Sequence, residues 1–250
     1  MTQAAAHISL NGSRLVRFLS DLHVSDAAMT QKRFAERLGS LIDLSDSITL
    51  SSAHSAIGAT AFEPGGMSHG DAQQEFLRVR AAIVQSVMRS FAAQSGPTRI
   101  KLPVPAAETP TDISAAFEPY RTFYSAQQRD IDFKIQKLQL QMREAAAGLS
   151  PELAQLSALD AALGNTLTLH TRRFFAVIPG LLGKRFEYLY QQHPSWSAMH
   201  KPFCADMQGL LLAEIEARLL PVLGLVEALG TNTDTNTDAN TDKSTDKKTL

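Results

Sequence analysis

The strongest pattern along the chain is a seven-residue repeat of apolar positions between about residues 113 and 148. Two series recur at alternating steps of three and four: Phe117, Tyr124, Ile131, Leu138 and Ala145, and Gln128, Ile135, Met142 and Leu149. A strict period of seven is typical of a coiled-coil seam and imposes left-handed supercoiling. At 1.5 Å per residue, the predicted helix is roughly 55 Å long.

A short connection follows this helix and predicts a hairpin. Gly148 suits a helix C-terminus, Ser150 suits the next N-cap, and Pro151 suits the first helical turn. The next helix carries leucines at helical spacing from residue 153 to 167. Because the connection is so short, we expect the two helices to be antiparallel neighbours.

One polar residue falls in the predicted seam of this hairpin. The expected pairing places His170 opposite Ile131 and Asp132. A polar residue at such a position can fix the register of two helices at some cost in stability. We predict that His170 points towards the Asp132 face of the first helix. The equally weighted alternative is a histidine at the edge of the apolar stripe that faces water.

The rest of the chain also shows helical rather than strand periodicity, so we predict an all-α fold. Residues 10–94 form a helical bundle in this interpretation, and the proline-rich residues 95–110 form a linker. Residues 111–229 contain the long antiparallel, coiled-coil-like hairpin and further C-terminal helices. Residues 230–250 repeat Asn-Thr-Asp and have almost no apolar side chain, which predicts a disordered tail.

Composition narrows the class of protein without selecting a function. Hydrophobic residues make up 44% and charged residues 20%, and the net charge of -1 gives no general attraction to nucleic acid or anionic membrane. A single cysteine, Cys204, fits a reducing compartment. The N-terminus lacks a secretory signal pattern. The most apolar stretch, residues 209–229, contains four charges and a proline. We expect a cytoplasmic protein with no membrane span.

No set of residues predicts catalysis, a cofactor or a metal. His193, His200, Cys204 and Asp206 are the closest group of metal-ligand types, but Pro202 interrupts the helix that would align them. A buried Cys204 that acts as a small hydrophobic residue is the favoured interpretation. The tail matches the start of an EF-hand loop and lacks its glycine and its glutamate. We therefore expect no enzyme activity.

A small basic region allows two interpretations. Arg172, Arg173, Lys184 and Arg185 lie beside Phe174, Phe175 and Phe186 in the sequence. Basic residues interleaved with aromatic residues can bind nucleic acid. The aromatic residues also follow helical spacing, which is typical of a core. We therefore favour a solvated face or a docking patch for a partner over a nucleic-acid groove.

Three stretches together are similar to one known family. They are FAERLGSLIDLSDSITLSSA at 34–53, RDIDFKI at 129–135 with SALDAAL at 157–163, and PGLLGKRFE at 179–187. Over about residues 10 to 225 the chain resembles the uncharacterised proteobacterial domain-of-unknown-function family 3348. The family has no established activity, so the resemblance assigns no functional residue. Its members are often encoded beside stator-like and OmpA-like envelope proteins, which implies a cytoplasmic accessory subunit of an envelope-associated assembly.

The leading hypothesis from the sequence is a non-enzymatic, all-α interaction or scaffold protein. Its partner surface would be the exposed part of the hairpin or a groove beside it. The partners implied by the resemblance are stator-like or OmpA-like envelope components, and a homodimer stays open. The alternative hypothesis is a nucleic-acid-associated helical protein that uses Arg172, Arg173, Lys184 and Arg185.

Overall fold

The computed structural model describes residues 14–21, 44–57, 62–92, 99–104, 112–193 and 195–242. These residues contain seven helices and no strand, which confirms the all-α prediction. The helices are α1 (Arg14–Asp21), α2 (Leu44–Ile57), α3 (His69–Phe91), α4 (Ile113–Ala147), α5 (Pro151–Ala176), α6 (Ile178–Gln192) and α7 (Trp196–Asp242). Within the described part of the chain, no helix has the length and apolar character needed to cross a membrane.

The helices α4 and α5 form the predicted antiparallel hairpin. The Ser150 hydroxyl accepts a hydrogen bond from the backbone N–H of Leu153 at 3.2 Å, so it caps the start of α5. The apolar positions of the seven-residue repeat are buried from Tyr124 to Ala145, and Gln128 among them is half-buried. Leu149, the last of the second series, is 39% exposed, so the buried stripe ends before the connection.

The chain divides into two compact units, and the long helices contribute segments to both. Unit 1 contains α1, α6 and the segments 82–91, 113–133, 168–176 and 196–218. Unit 2 contains α2 and the segments 69–81, 134–147, 151–167 and 219–242. Each unit combines residues from before and after the predicted linker at 95–110. The predicted domain boundaries along the chain stay a prediction.

In unit 2, a close backbone approach holds the start of α3 against the hairpin connection. The backbone N–H of Gly65 donates to the carbonyl of Gly148 at 2.9 Å, and Gly66 has a φ of 114°. A side chain at Gly148 would overlap the carbonyl group of Gly65. Further along the hairpin, Arg143 Nε lies 2.7 Å from a carboxylate oxygen of Asp160, which links α4 to α5.

In unit 1, the core is a cluster of aromatic rings contributed by α4, α6 and α7. Phe186 is fully buried, and its ring centroid lies 4.9 Å from that of Phe203 and 5.7 Å from that of Trp196. Tyr120 joins the cluster, with its centroid 5.4 Å from Phe203 in an edge-to-face arrangement. This packing fixes α4, α6 and α7 relative to one another.

The last helix is longer than the sequence predicts. The sequence predicts that the last helical region ends near Leu229, whereas α7 continues to Asp242. Extending an existing helix is easier than nucleating a new one, so weak helix formers can follow a stable helix. The disorder predicted for residues 230–250 stays a prediction, because the side chains from 232 onwards lie outside the described residues, as do all atoms after 242.

Two glycines of unit 2 give opposite predictions for the same change. G148A should lower the free energy of unfolding by about 2 kcal/mol, because the new methyl group overlaps the Gly65 backbone. G224A should raise it by up to about 1 kcal/mol, because Gly224 lies inside α7 with no atom near the added methyl group. Urea-unfolding midpoints of the two variants and the wild type measure both effects. An equal or higher midpoint for G148A would contradict the close approach.

Candidate functional site

A proline at the start of α6 frees a carbonyl group at the end of α5 in unit 1. Val177, between the two helices, keeps a helical backbone with φ -78° and ψ -20°. Pro179 has no N–H, so it cannot pair with the carbonyl of Phe175 four residues earlier. The side-chain amide of Gln128, on α4, donates to that carbonyl at 3.0 Å. A contact between helices therefore replaces a bond within one helix.

The same Gln128 amide helps to hold a buried carboxylate from α7. Glu214 has no solvent exposure, and Gln128 Nε2 lies 3.0 Å from both of its carboxylate oxygens. The Tyr124 hydroxyl donates to Oε2 at 2.9 Å, and Arg218 Nε donates to Oε1 at 2.9 Å. Both oxygens thus have donors, as a buried charged group requires.

Burial and the local charges act in opposite directions on this carboxylate. Burial raises the pKa of Glu214, and the guanidinium of Arg218 and the donated hydrogen bonds lower it by a smaller amount. Burial also raises the pKa of Tyr124 well above its usual range, and the neighbouring Glu214 raises it further. Tyr124 is therefore a permanent hydrogen-bond donor here.

Arg218 connects the buried carboxylate to a second carboxylate near the surface. Its guanidinium lies 3.7 Å from the centroid of the Phe175 ring. Nη2 lies 2.8 Å from Glu214, and Nη1 donates to Asp132 at 2.9 Å. The Arg218 side chain is only 10% exposed, whereas Asp132 is 37% exposed. The guanidinium is thus held in place from three directions.

An open groove of about 690 Å³ lies above this network in unit 1. Helix α4 forms one wall, and the end of α5, the start of α6 and α7 form the rest. The lining residues are Glu118, Arg121, Thr122, Ser125, Gln128, Arg129, Asp132, Arg172, Phe175, Ala176, Pro179 and Arg218. Four arginines face two carboxylates, so the lining has an excess of positive charge.

Two large apolar side chains lie next to arginines that line the groove. Phe133 is 69% exposed and lies four residues after Arg129 on α4. Leu169 is 62% exposed and lies three residues before Arg172 on α5. Residues three or four apart are neighbours on a helix surface. Since the Gln128–Phe175 contact sets an antiparallel register, the two pairs lie at the same end of the groove. We call these four residues the groove end.

The polar seam residues predicted from the sequence have different surroundings in the structure. Asp132 pairs with Arg218 of α7, a partner that the sequence did not indicate. His170 lies half-buried on α5. The prediction that His170 points towards the Asp132 face stays a prediction.

The four predicted basic residues differ in their accessibility. Arg172, Arg173 and Lys184 are exposed, and only Arg172 of the four lines the groove. Arg185 is half-buried, and its Nε donates to Asp206 at 2.8 Å. The charge of Arg185 is therefore balanced by a carboxylate of its own unit.

The aromatic residues beside these basic residues also differ in their exposure to solvent. Phe186 and Phe175 are buried, and Phe174 is 48% exposed. Stacking on nucleic-acid bases requires exposed rings. Of the three, Phe174 is the one with substantial exposure.

The single cysteine lies beside a histidine, and burial keeps its thiol protonated. Cys204 Sγ lies 3.5 Å from Nε2 of His200 on the same helix. Burial raises the pKa of Cys204 to about 11 and lowers that of His200, so the protonated thiol prevails at neutral pH. Asp206, the third member of the sequence group, pairs with Arg185. Among the described residues, no three His, Cys, Asp or Glu side chains are grouped to hold a metal ion.

Sequence reasoning missed the network beneath the groove. In the sequence, Glu214 and Arg218 are two of the four charges in the apolar stretch 209–229, where they argue against a membrane span. Their spacing of four residues within the most apolar stretch is the signal that could have identified a buried ion pair. Gln128 carried a second signal, since it is the polar member of an otherwise apolar seam series.

Arg218 should be essential to the stability of unit 1, most of all at higher pH. R218M should lower the free energy of unfolding by about 3 kcal/mol, because it leaves the Glu214 charge buried without its cation. Loss of the guanidinium raises the Glu214 pKa further, and a carboxyl whose pKa is raised on folding loses stability as pH rises above its ordinary value of 4.5. The destabilisation should therefore grow with pH above 4.5 in chemical denaturation.

The matched control is the double variant R218M/E214Q. It removes the buried charge together with its partner, so it should recover part of the loss and abolish the added pH dependence. A destabilisation by R218M that is independent of pH would contradict the role of the buried carboxylate.

The bond from Gln128 to Phe175 should depend on Pro179. Q128L should destabilise the wild type by about 2 kcal/mol, because it leaves the Phe175 carbonyl and one carboxylate contact without a donor. P179A restores an N–H that can pair with the same carbonyl, so Q128L should cost less in that background. A double-mutant cycle of unfolding free energies measures the coupling. Strict additivity would reject the compensation.

Comparison with known proteins identifies a family without a known activity. A family model described as "Protein of unknown function (DUF3348)" matches residues 1–231. No curated protein and no solved structure matches the chain significantly. The family match covers the groove, the network beneath it and both described units up to residue 231. The chain therefore belongs to this family of unknown function, DUF3348.

Proposed function

We propose that the protein is a non-enzymatic interaction protein that binds a partner along the groove of unit 1. The observation that carries this proposal is the groove end. There, Phe133 and Leu169 expose most of their side chains beside Arg129 and Arg172. Phenylalanine and arginine side chains are both enriched in protein interfaces relative to the rest of a protein surface.

The chemistry beneath the groove supports binding rather than turnover. Glu214, Tyr124 and Arg218 are the buried titratable groups closest to it, and both Tyr124 and Arg218 donate hydrogen bonds to Glu214. A general acid or base must be free to exchange a proton with a substrate. These groups instead keep the groove walls in a fixed geometry, which lowers the cost of binding a partner.

We base the proposed cellular location of this binding on the family resemblance. We propose that the protein is a cytoplasmic accessory subunit of an envelope-associated assembly. The gene neighbourhood implied by the resemblance makes stator-like and OmpA-like envelope components the first partners to test. A second copy of the chain is the other candidate, and nucleic acid has less support because Arg185 is neutralised and Phe186 is buried.

Site-specific photo-crosslinking in the native host tests the proposal. A photoreactive amino acid replaces Phe133 or Leu169 in two variants, and Tyr188 of α6 in the control. Tyr188 is 46% exposed, and unlike Phe133 and Leu169 it has no groove-lining residue within four positions on its helix. We expect the first two positions to crosslink to one common protein and the control to yield much less of it.

Each other outcome of the crosslinking has a definite meaning. Equal yields at all three positions, or no product at 133 and 169, would reject the groove as the partner site. A product of twice the chain mass at 133 and 169 would identify a homodimer.

A further inference from the structure

We infer that the groove selects an acidic segment of a partner protein, with one carboxylate held between Arg129 and Arg172 and apolar side chains against Phe133 and Leu169. The inference rests on the proposed function and specifies the chemistry of the partner. It follows from the charges that the groove leaves unbalanced, from its length and from its apolar border.

Only some of the arginines that line the groove are available to bind a ligand, because others already pair with carboxylates of the protein. Arg218 is held by Glu214 and Asp132, and Arg121 makes a two-pronged pair with Glu118, at 2.7 and 2.8 Å. These two guanidinium groups have carboxylates already. The other two arginines of the lining are therefore the cations that remain for a ligand.

Those cations are Arg129 and Arg172. The hydrogen bond described for Arg129 joins its Nε to the backbone carbonyl of Ser125 at 3.3 Å, which leaves the two terminal nitrogens for a ligand. Arg172 is exposed, and within the described residues it has no hydrogen bond or ion pair. The antiparallel register places both at the groove end, on opposite walls. A carboxylate between them would receive two guanidinium forks, the geometry that arginine recognises best.

The surroundings of this arginine pair favour an acidic peptide over a polyanion. Phe133 and Leu169 offer apolar contact beside each arginine. Because Glu118 and Asp132 already pair with Arg121 and Arg218, the groove offers a ligand two cations at one end rather than a continuous row, which does not suit a ligand with a charge at every unit. A segment that alternates acidic and apolar residues satisfies both features, whereas a nucleic-acid backbone does not.

The length of the groove sets the size of the segment. Its lining runs along α4 from Glu118 to Asp132, about 21 Å at 1.5 Å per residue. An extended chain covers about 3.3 Å per residue, so about six residues fit. The chain's own tail, residues 230–250, is a poor match, because its four aspartates are accompanied by three lysines and Leu250 is its one large apolar residue.

A direct titration of the full-length protein tests the inference. The probe is a fluorescent peptide of about six residues in which glutamate alternates with leucine, and the comparison probe has glutamine in place of glutamate. Fluorescence anisotropy gives the dissociation constants. We expect the glutamate peptide to bind about tenfold more tightly than the glutamine peptide.

Two neighbouring arginines supply a matched control. R172Q and R129Q should each weaken binding of the glutamate peptide about tenfold. R173Q makes the same charge change one residue away on α5, outside the groove lining, and should leave binding within about twofold of wild type. Circular dichroism of the variants checks that the helices remain folded.

The outcomes that overturn the inference are distinct. Equal losses in R172Q and R173Q would mean attraction by overall charge. Equal affinity for the two peptides, or no binding of either, would remove the carboxylate as the recognised group. Tighter binding of a single-stranded oligonucleotide that also depends on Arg172 would assign the groove to nucleic acid.

Failure of this inference and failure of the proposed function give different results. If crosslinking at Phe133 and Leu169 succeeds and R172Q has no effect, the groove binds a partner of other chemistry. If crosslinking fails at both positions, the proposed function fails, whatever the titration shows.

Discussion

The buried carboxylate of Glu214 is the constraint on which the candidate site depends. An ionised side chain in a protein interior is costly unless it is paired and hydrogen-bonded, so its surroundings have little freedom to change. Tyr124 and Gln128 of α4 and Arg218 of α7 supply the donors. Through Gln128, the end of α5 is also tied to the same point. One charge thus fixes the three helices that form most of the groove wall.

The hairpin could be predicted because its signals are local. The seven-residue period, the Gly-Leu-Ser-Pro connection and the cap at Ser150 all lie within one continuous stretch of sequence. The network beneath the groove could not be predicted in the same way. Tyr124 and Glu214 are 90 residues apart, and Asp132 and Arg218 are 86 apart. Which partner a charge meets depends on how α7 docks, and periodicity within α7 does not determine this.

The basic residues show the difference between proximity in sequence and in space. Arg172, Arg173, Lys184 and Arg185 form one group along the chain, and the fold separates their roles. Arg172 lines the groove, and Arg185 is paired with Asp206. The residues that join Arg172 in the candidate site, Arg129 and Phe133, come from α4, about forty positions earlier. The sequence indicated a groove beside the hairpin and left its lining undefined.

The break between α5 and α6 at Pro179 has a mechanical consequence for the two walls of the groove. In an uninterrupted helix, the Phe175 carbonyl would be bonded internally, and α4 and α5 would be joined by one hydrogen bond fewer. Because the carbonyl is instead bonded to Gln128, a shift by one helical turn, about 5.4 Å, would break that bond and expose a buried acceptor. The proline therefore adds an anchor between the two walls of the groove, close to Arg129 and Arg172, that is in place before any partner arrives.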